Sequence, residues 1–329
     1  MTSEAPVSRS FGATPRLMPR PEYPALGKVI AGQLKAVFLE SAFWGTILVL
    51  AGMPAWSLCV GELQKMGFDD AKVFAVTGAA FHLIVYLALN VPFGLCDYYG
   101  WMQDYKLHRN ESSLRPSRKL ITETIIGAAA NHFVAFPLLI YLAYGGFQAL
   151  GAQAVDAPLP STQEIFVSMI YGHLFNDVAF YFTHRAFHTK ALYFLHKQHH
   201  SFGGTMGIAA EHANPVESLI ANVIPTLGGV VFFGCKHPWV SLAWVLVRVQ
   251  QTCFAHSGYN FEGTIWDTVG IAHAHEVIFH DHHHTRNQGN FGCLAMDYMF
   301  GTCDHFVSAG LYDGYVALSD QKKSGKKVI

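Results

Sequence analysis

His184-Arg185-Ala186-Phe187-His188, His196-Lys197-Gln198-His199-His200 and His280-Asp281-His282-His283-His284 are the stretches on which the reading of this chain turns. The first reads H-x-x-x-H, the second H-x-x-H-H, and the third repeats that spacing with one histidine inserted. Fourteen of the nineteen histidines fall between His184 and His284. Positions i, i+3 and i+4 share a helix face, so each group presents its imidazoles together. Any one such histidine reads best as a satisfied polar side chain. Eight of them at three helical spacings read as a metal site. A structural zinc site needs four ligands and usually takes cysteines, so eight histidines point to a dinuclear centre. Imidazole leaves the metal open among zinc, copper, iron and nickel. His275-Glu276-Val277-Ile278-Phe279-His280 carries the letters of a zinc-protease H-E-x-x-H motif, but its second histidine falls at i+5, on the wrong face.

Around these groups the 329-residue chain is 51% hydrophobic and only 14% charged. A soluble domain carries roughly 25% charged residues, so the chain reads as an integral membrane protein. A net charge of −1 gives no footing for a nucleic-acid partner, which needs a basic face. Six cysteines without a C-x-x-C pair read as small buried hydrophobes, in a reducing environment. Residues 1–35 read as a surface lead on the cytosolic side rather than a signal peptide. Apolar blocks at Ala36–Val60, Val73–Leu95, Ile125–Tyr144 and Ile165–Phe182 predict four transmembrane helices. Leu219–Cys235 and Trp239–Phe254, joined by Lys236-His237-Pro238, predict an apolar helical hairpin. Lys106, Arg109, Arg115, Arg118 and Lys119 put the loop at 97–119 in the cytosol, and residues 145–163, without Lys or Arg, on the other side. All three histidine groups then share the cytosolic face. The expected fold is all-α: a transmembrane region over 36–164, a histidine-bearing unit over 165–305, and a cytosolic tail over 306–329. Lys326-Lys327-Val328-Ile329 resembles a dilysine retrieval signal of endoplasmic-reticulum membrane proteins, which works only on a cytosolic tail.

The order of the groups, with apolar segments between, resembles the fatty acid hydroxylase or sterol desaturase superfamily, and most closely the C-4 methylsterol oxidases. The likeness is carried by Phe180-Tyr181-Phe182-Thr183-His184-Arg185, Leu195 to His200, Ala255-His256-Ser257-Gly258-Tyr259, Phe279 to His284 and Met296-Asp297-Tyr298-Met299-Phe300-Gly301-Thr302. It spans about Asn176 to Asp304. Three places depart: Phe261-Glu262 stands where the family has Phe-Pro, His282 where it often has an aromatic residue, and a segment between the second and third groups differs. Where the family reads A-E-Y-A-H-P, this chain has Ala210-Glu211-His212-Ala213-Asn214-Pro215. Either His212 takes the place of the missing ligand or the site has one fewer.

The resemblance implies a membrane-bound, O₂-dependent oxygenase with two non-haem iron ions. The expected ligands are His184, His188, His196, His199, His200, His280, His283 and His284, completed by His256 and His212. His282 points off that face and reads as a bystander. Asp177, two turns before His184, is a candidate to orient an imidazole; Glu211, Glu217, Glu276 and Asn214 lie close to ligands in sequence. No residue beyond the metal centre is expected to act directly in catalysis. Lacking a dinucleotide fingerprint or a haem-binding domain, the chain must receive electrons from NAD(P)H through a separate donor. The resemblance implies cytochrome b5 and its reductase, with the basic loop as one docking surface. C-4 methyl oxidation of a sterol is the first expectation. A sterol or lipid hydroxylase of the 25-hydroxylase type and a desaturase follow, and a non-catalytic metal-containing membrane protein stays open.

Overall fold

The computed structural model describes residues 25–108, 112–268 and 274–308, and among these the regular structure is helical, without a strand. Helix α1 (Leu26–Ile47) passes through a π turn, Leu48–Gly52, into α2 (Met53–Lys65). Helix α3 (Asp70–Tyr99) starts on Asp69, whose side chain accepts from the Lys72 amide. Helix α4 (Arg118–Ala130) continues through a second π turn, Asn131–Ala135, into α5 (Phe136–Ala149). Helix α6 (Thr162–Phe187) opens on a capping box in which Ser161 and Glu164 satisfy each other's backbone amides. Short helices α7 (Tyr193–His196) and α8 (Pro215–Glu217) follow, and a third π turn, Ser218–Val223, leads into α9 (Ile224–Phe233). The chain then forms α10 (Pro238–Ala255), α11 (Ile265–Thr268), α12 (Ala274–Arg286), α13 (Leu294–Met299) and α14 (Asp304–Ser308).

Each π turn lies just ahead of a proline: Pro54, Pro137 or Pro225. Proline has no N–H to offer the carbonyl four residues back. The wider turn absorbs that break without ending the helix, so the chain keeps its course across the bilayer.

Five helical runs, Leu26–Lys65, Asp70–Tyr99, Ser112–Ala149, Thr162–Phe187 and Pro215–Phe233, are long and apolar enough to span a membrane. Leu50, Leu58, Ile126, Phe133, Leu142 and Phe232 stand exposed on their outer faces, a surface suited to lipid. The protein is therefore an all-helical, multi-pass membrane protein. The second limb of the expected hairpin has another role. In α10, Trp239, Val240, Ala243, Trp244 and Val247 are buried within the protein itself. Its apolar run reflects a central position among the other helices.

Three glycines allow the closest crossings. The indole of Trp244 occupies the space a Cβ on Gly172 would need, 2.7 Å away, and a Cβ on Gly229 would lie 2.4 Å from the Tyr171 carbonyl oxygen. Gly228 faces the Phe175 ring in the same way. Small residues let helix backbones approach, and this crossing of α6 with α9 seats the helix that carries His184. The lead before residue 25 and the Lys326–Ile329 tail lie outside the described residues.

Gly229→Ala should destabilise the protein by about 1–3 kcal/mol. Gly146→Ala, where a Cβ meets nothing within 4 Å, should be neutral or slightly stabilising. Thermal unfolding of both variants in lipid nanodiscs checks this; equal melting temperatures would contradict it.

Candidate metal centre

Helix α6 carries His184 and ends on His188 as its C-cap. His196 closes α7, His199 and His200 sit in the next 3₁₀ turn, His256 caps α10, and α12 supplies His280, His283 and His284. These nine imidazoles form two sets: His184, His188, His196, His200 and His283, and then His199, His256, His280 and His284. The division follows helical phase more finely than three shared faces. Each i, i+4 pair (His184 and His188, His196 and His200, His280 and His284) stays within one set. The i+3 members, His199 and His283, cross to the other. Neighbouring histidines thereby feed neighbouring sites.

The facing nitrogens are almost all Nε2. In the first set His196 Nε2 lies 3.1 Å from that of His184, 2.9 Å from His188 and 3.0 Å from His200; His200 and His283 are 3.1 Å apart. In the second, His256 Nε2 lies 3.3 Å from His199 and 2.8 Å from His280, with His280 to His284 at 3.1 Å. The opposite ring nitrogens of five rings are engaged elsewhere, whereas Nδ1 of His199 and His200 is buried without a hydrogen-bond partner among the described residues. Nδ1 of His184, His256, His283 and His284 donates to the carbonyls of Phe291, Thr252, Gly289 and Phe202. Nδ1 of His196 donates to Glu217 at 2.7 Å. A carbonyl can only accept, so the four rings that meet one carry their proton on Nδ1 and turn bare Nε2 lone pairs into the shared interior. Without positive charge between them such lone pairs repel. Ligand atoms held about 2.1 Å from one ion stand roughly 3.0–3.4 Å apart, which matches the spacings here. Each set fits a metal ion.

Burial, followed by the neighbouring imidazoles, pushes His188, His199, His200, His280, His283 and His284 well below the usual histidine range. Burial takes His256 down to about 4. These rings stay neutral, the form that binds metal.

An outer layer fixes the ligand rings. Asp297 accepts from the Phe291 and Gly292 amides at 2.8 and 2.7 Å and from Thr302 at 2.6 Å, which holds the Phe291 carbonyl toward His184. Asp281 accepts from the Thr205 hydroxyl at 2.7 Å and pairs with His108 at 2.6 Å, tying α12 to the loop after α3. Neither role can be read from ligand spacing, although both Asp297 and Asp281 lie within quoted motifs. The basic loop is partly committed: Lys106 pairs with Asp97 at 2.7 Å and lies over the Tyr259 ring.

His212 is not brought to either set. Its Nδ1 lies 3.0 Å from the Thr124 hydroxyl and its ring packs on Phe202. Asn214 is elsewhere too, accepting from the Val216 amide as the N-cap of α8. The 3₁₀ turn Gly207–Glu211 ends the helical path before His212 and turns it aside. Glu211 joins a separate group with His82 and His132, and burial pushes its carboxyl up to about 8. Asp177 accepts from the Gln33 amide at 2.9 Å, and it and Glu276 line a cavity beside the centre. His282 faces His305 and Phe306. Glu217 is the sequence-near carboxylate that reaches a ligand ring.

The arrangement defines a helical membrane protein with a buried polyhistidine metal centre. The sequence model of the fatty acid hydroxylase family matches residues 169–302. The chain is 28% identical over 242 residues to methylsterol monooxygenase 2-2 of Arabidopsis thaliana, covering 71% of this chain and 87% of that one. A putative methylsterol monooxygenase of Dictyostelium discoideum is 32% identical over 246 residues, with 71% and 86% covered. A very-long-chain aldehyde decarbonylase of Oryza sativa subsp. indica, GL1-11, is 27% identical over 261 residues, with 78% and 93% covered. No solved structure matches the chain significantly. The chain belongs to the fatty acid hydroxylase family, a class of non-haem iron oxidoreductases, and is similar to the methylsterol monooxygenases within it.

His283→Ala should at least halve the metal retained per purified chain, whereas His212→Ala should retain the wild-type amount. Elemental analysis of both variants checks this; equal losses would contradict the assignment of ligands.

Proposed function

We propose that the protein is a di-iron, O₂-dependent C-4 methylsterol monooxygenase. The observation that carries this reading is the cavity of about 420 Å³ whose wall includes His256 and His280, ligands of the second set. Val29, Ala36, Phe180, Phe279, Leu294 and Phe306 also line it, so an apolar skeleton can lie against the metal centre. The methylsterol monooxygenases among its relatives support a sterol as the occupant.

Iron bound by the two sets would supply the reductive activation of O₂ and the oxidation of an unactivated C–H bond. The protein's own part is threefold. Nine imidazoles would hold the metal, with Glu217 and the backbone carbonyls fixing five of the rings. Phe180 and Phe279 beside the ligands exclude water. The cavity between α1, α6, α10 and α12 orients the substrate carbon toward the second set. One hydroxylation consumes R–CH₃, O₂, two electrons and two protons and yields R–CH₂OH and water; repetition carries the carbon toward the carboxylate. The electrons come from NAD(P)H through cytochrome b5 and its reductase, external to this chain. We place the enzyme in the endoplasmic reticulum membrane with the histidine sets facing the cytosol. A second reading is the decarbonylation of a long-chain aldehyde to an alkane one carbon shorter, favoured by the greater length shared with the decarbonylase relative.

Expression in a cell deprived of its own C-4 methylsterol oxidase tests the reading. The wild-type chain should clear accumulated 4,4-dimethyl and 4-methyl sterols, and His199→Ala should leave them in place, at least a hundredfold down in activity. Unchanged sterols with altered long-chain aldehydes or alkanes would favour the second reading. Full activity of His199→Ala would refute the metal assignment.

A further inference from the structure

The cavity beside the centre has a charged wall, with Lys28 of α1 also on its lining. Arg248 of α10, Asp177 of α6 and Glu276 of α12 all line it. Arg248 interacts electrostatically with three carboxylates, those of Glu276, Asp177 and Glu40. Gln251 accepts from Arg248 and donates to Glu40, and Gln33 donates to Asp177. The guanidinium Nε is buried without a hydrogen-bond partner among the described residues. Charges at membrane depth are costly and mark function by default. The metal centre does not use these.

We propose that this wall binds the hydroxyl group of a neutral lipid alcohol, with Glu276 and Arg248 as the residues that select it. The inference rests on the reading of the centre as a membrane-lipid oxygenase and deepens it by naming the polar end of the substrate. A hydroxyl both donates and accepts: it can donate to a carboxylate and accept from the guanidinium. A fatty-acid headgroup would bring a further acceptor and negative charge among three carboxylates. An aldehyde only accepts, so it would leave the carboxylates unserved. The wall therefore favours an alcohol over both.

Helical register limits where oxidation falls. Glu276 precedes the ligand His280 by four residues, about 6 Å along the axis, and Arg248 precedes His256 by eight, about 12 Å. A hydroxyl held at this wall brings a carbon close to it, not the remote end of a long skeleton, to the metal sets. In a sterol that geometry selects the ring bearing the hydroxyl over the tip of the side chain.

The test is equilibrium binding to the purified, metal-loaded protein in nanodiscs, using a 4,4-dimethyl 3-hydroxysterol, its 3-deoxy analogue and a long-chain fatty acid. The hydroxysterol should bind at least about tenfold tighter than the deoxy analogue, and the fatty acid more weakly still. Glu276→Ala should lower affinity for the hydroxysterol about tenfold while leaving that for the deoxy analogue, and the metal content, unchanged. Asp177→Asn serves as the second variant if Glu276→Ala does not fold, with a loss confined to the hydroxysterol expected again. Equal affinity for the two sterols in the wild type, or equal losses for both in the variants, would overturn the proposal. Selective binding of the hydroxysterol without its oxidation would uphold the wall while removing the reaction proposed above. Oxidation without selectivity would remove the wall alone.

Discussion

Bare imidazole nitrogens that face one another at about 3 Å are tolerable only around positive charge, and much of this structure serves to bring them there. Four carbonyls and one carboxylate take the Nδ1 protons of five rings, leaving each Nε2 lone pair for the interior. The carbonyl of Phe291 is held in turn by Asp297, and α12 is tied down through Asp281. Removing either carboxylate would not remove a ligand, but would free the ring or the helix that presents one. Metal and fold would be coupled in this way: the imidazoles come from α6, α7 with the 3₁₀ turn after it, α10 and α12, and a bound ion would make their convergence favourable.

The membrane helices meet this demand with their own packing. Glycines at the crossing of α6 and α9 bring the helix of His184 close to its neighbour, and Trp244 of α10 fills the notch at Gly172. Pro54, Pro137 and Pro225 are tolerated along the spans because π turns take up the missing amide hydrogen bonds. The result sets the metal centre at the ends of the helices, with an apolar cavity below it and a charged patch on one side of that cavity.

Much of this was legible in the residues. The four apolar blocks appear as helices, and the spaced histidines converge, because hydropathy and 3.6-residue periodicity are local properties of sequence. The division of the ligands into two sets was not legible. It depends on how the 3₁₀ turn after α7 and α12 face each other, which sends His199 and His283 across to the opposite set. His212 misled because it stands beside a familiar segment, yet the backbone after Gly207–Glu211 turns it toward Thr124. The apolar run of α10 looked like a membrane limb; it is apolar because protein surrounds it. Asp177 and Glu276 were noticed for their nearness to ligands in sequence, and the folded chain puts them on the cavity wall.

The account stands on two metal ions held by nine histidines. Iron content per chain, together with the Mössbauer spectrum of the reduced, ⁵⁷Fe-loaded protein, tests it most directly. The account predicts two ferrous ions per chain in nitrogen-rich surroundings, one for each set, with His283→Ala disturbing the five-histidine site first. A single iron per chain, or a fully active preparation without iron, would contradict it.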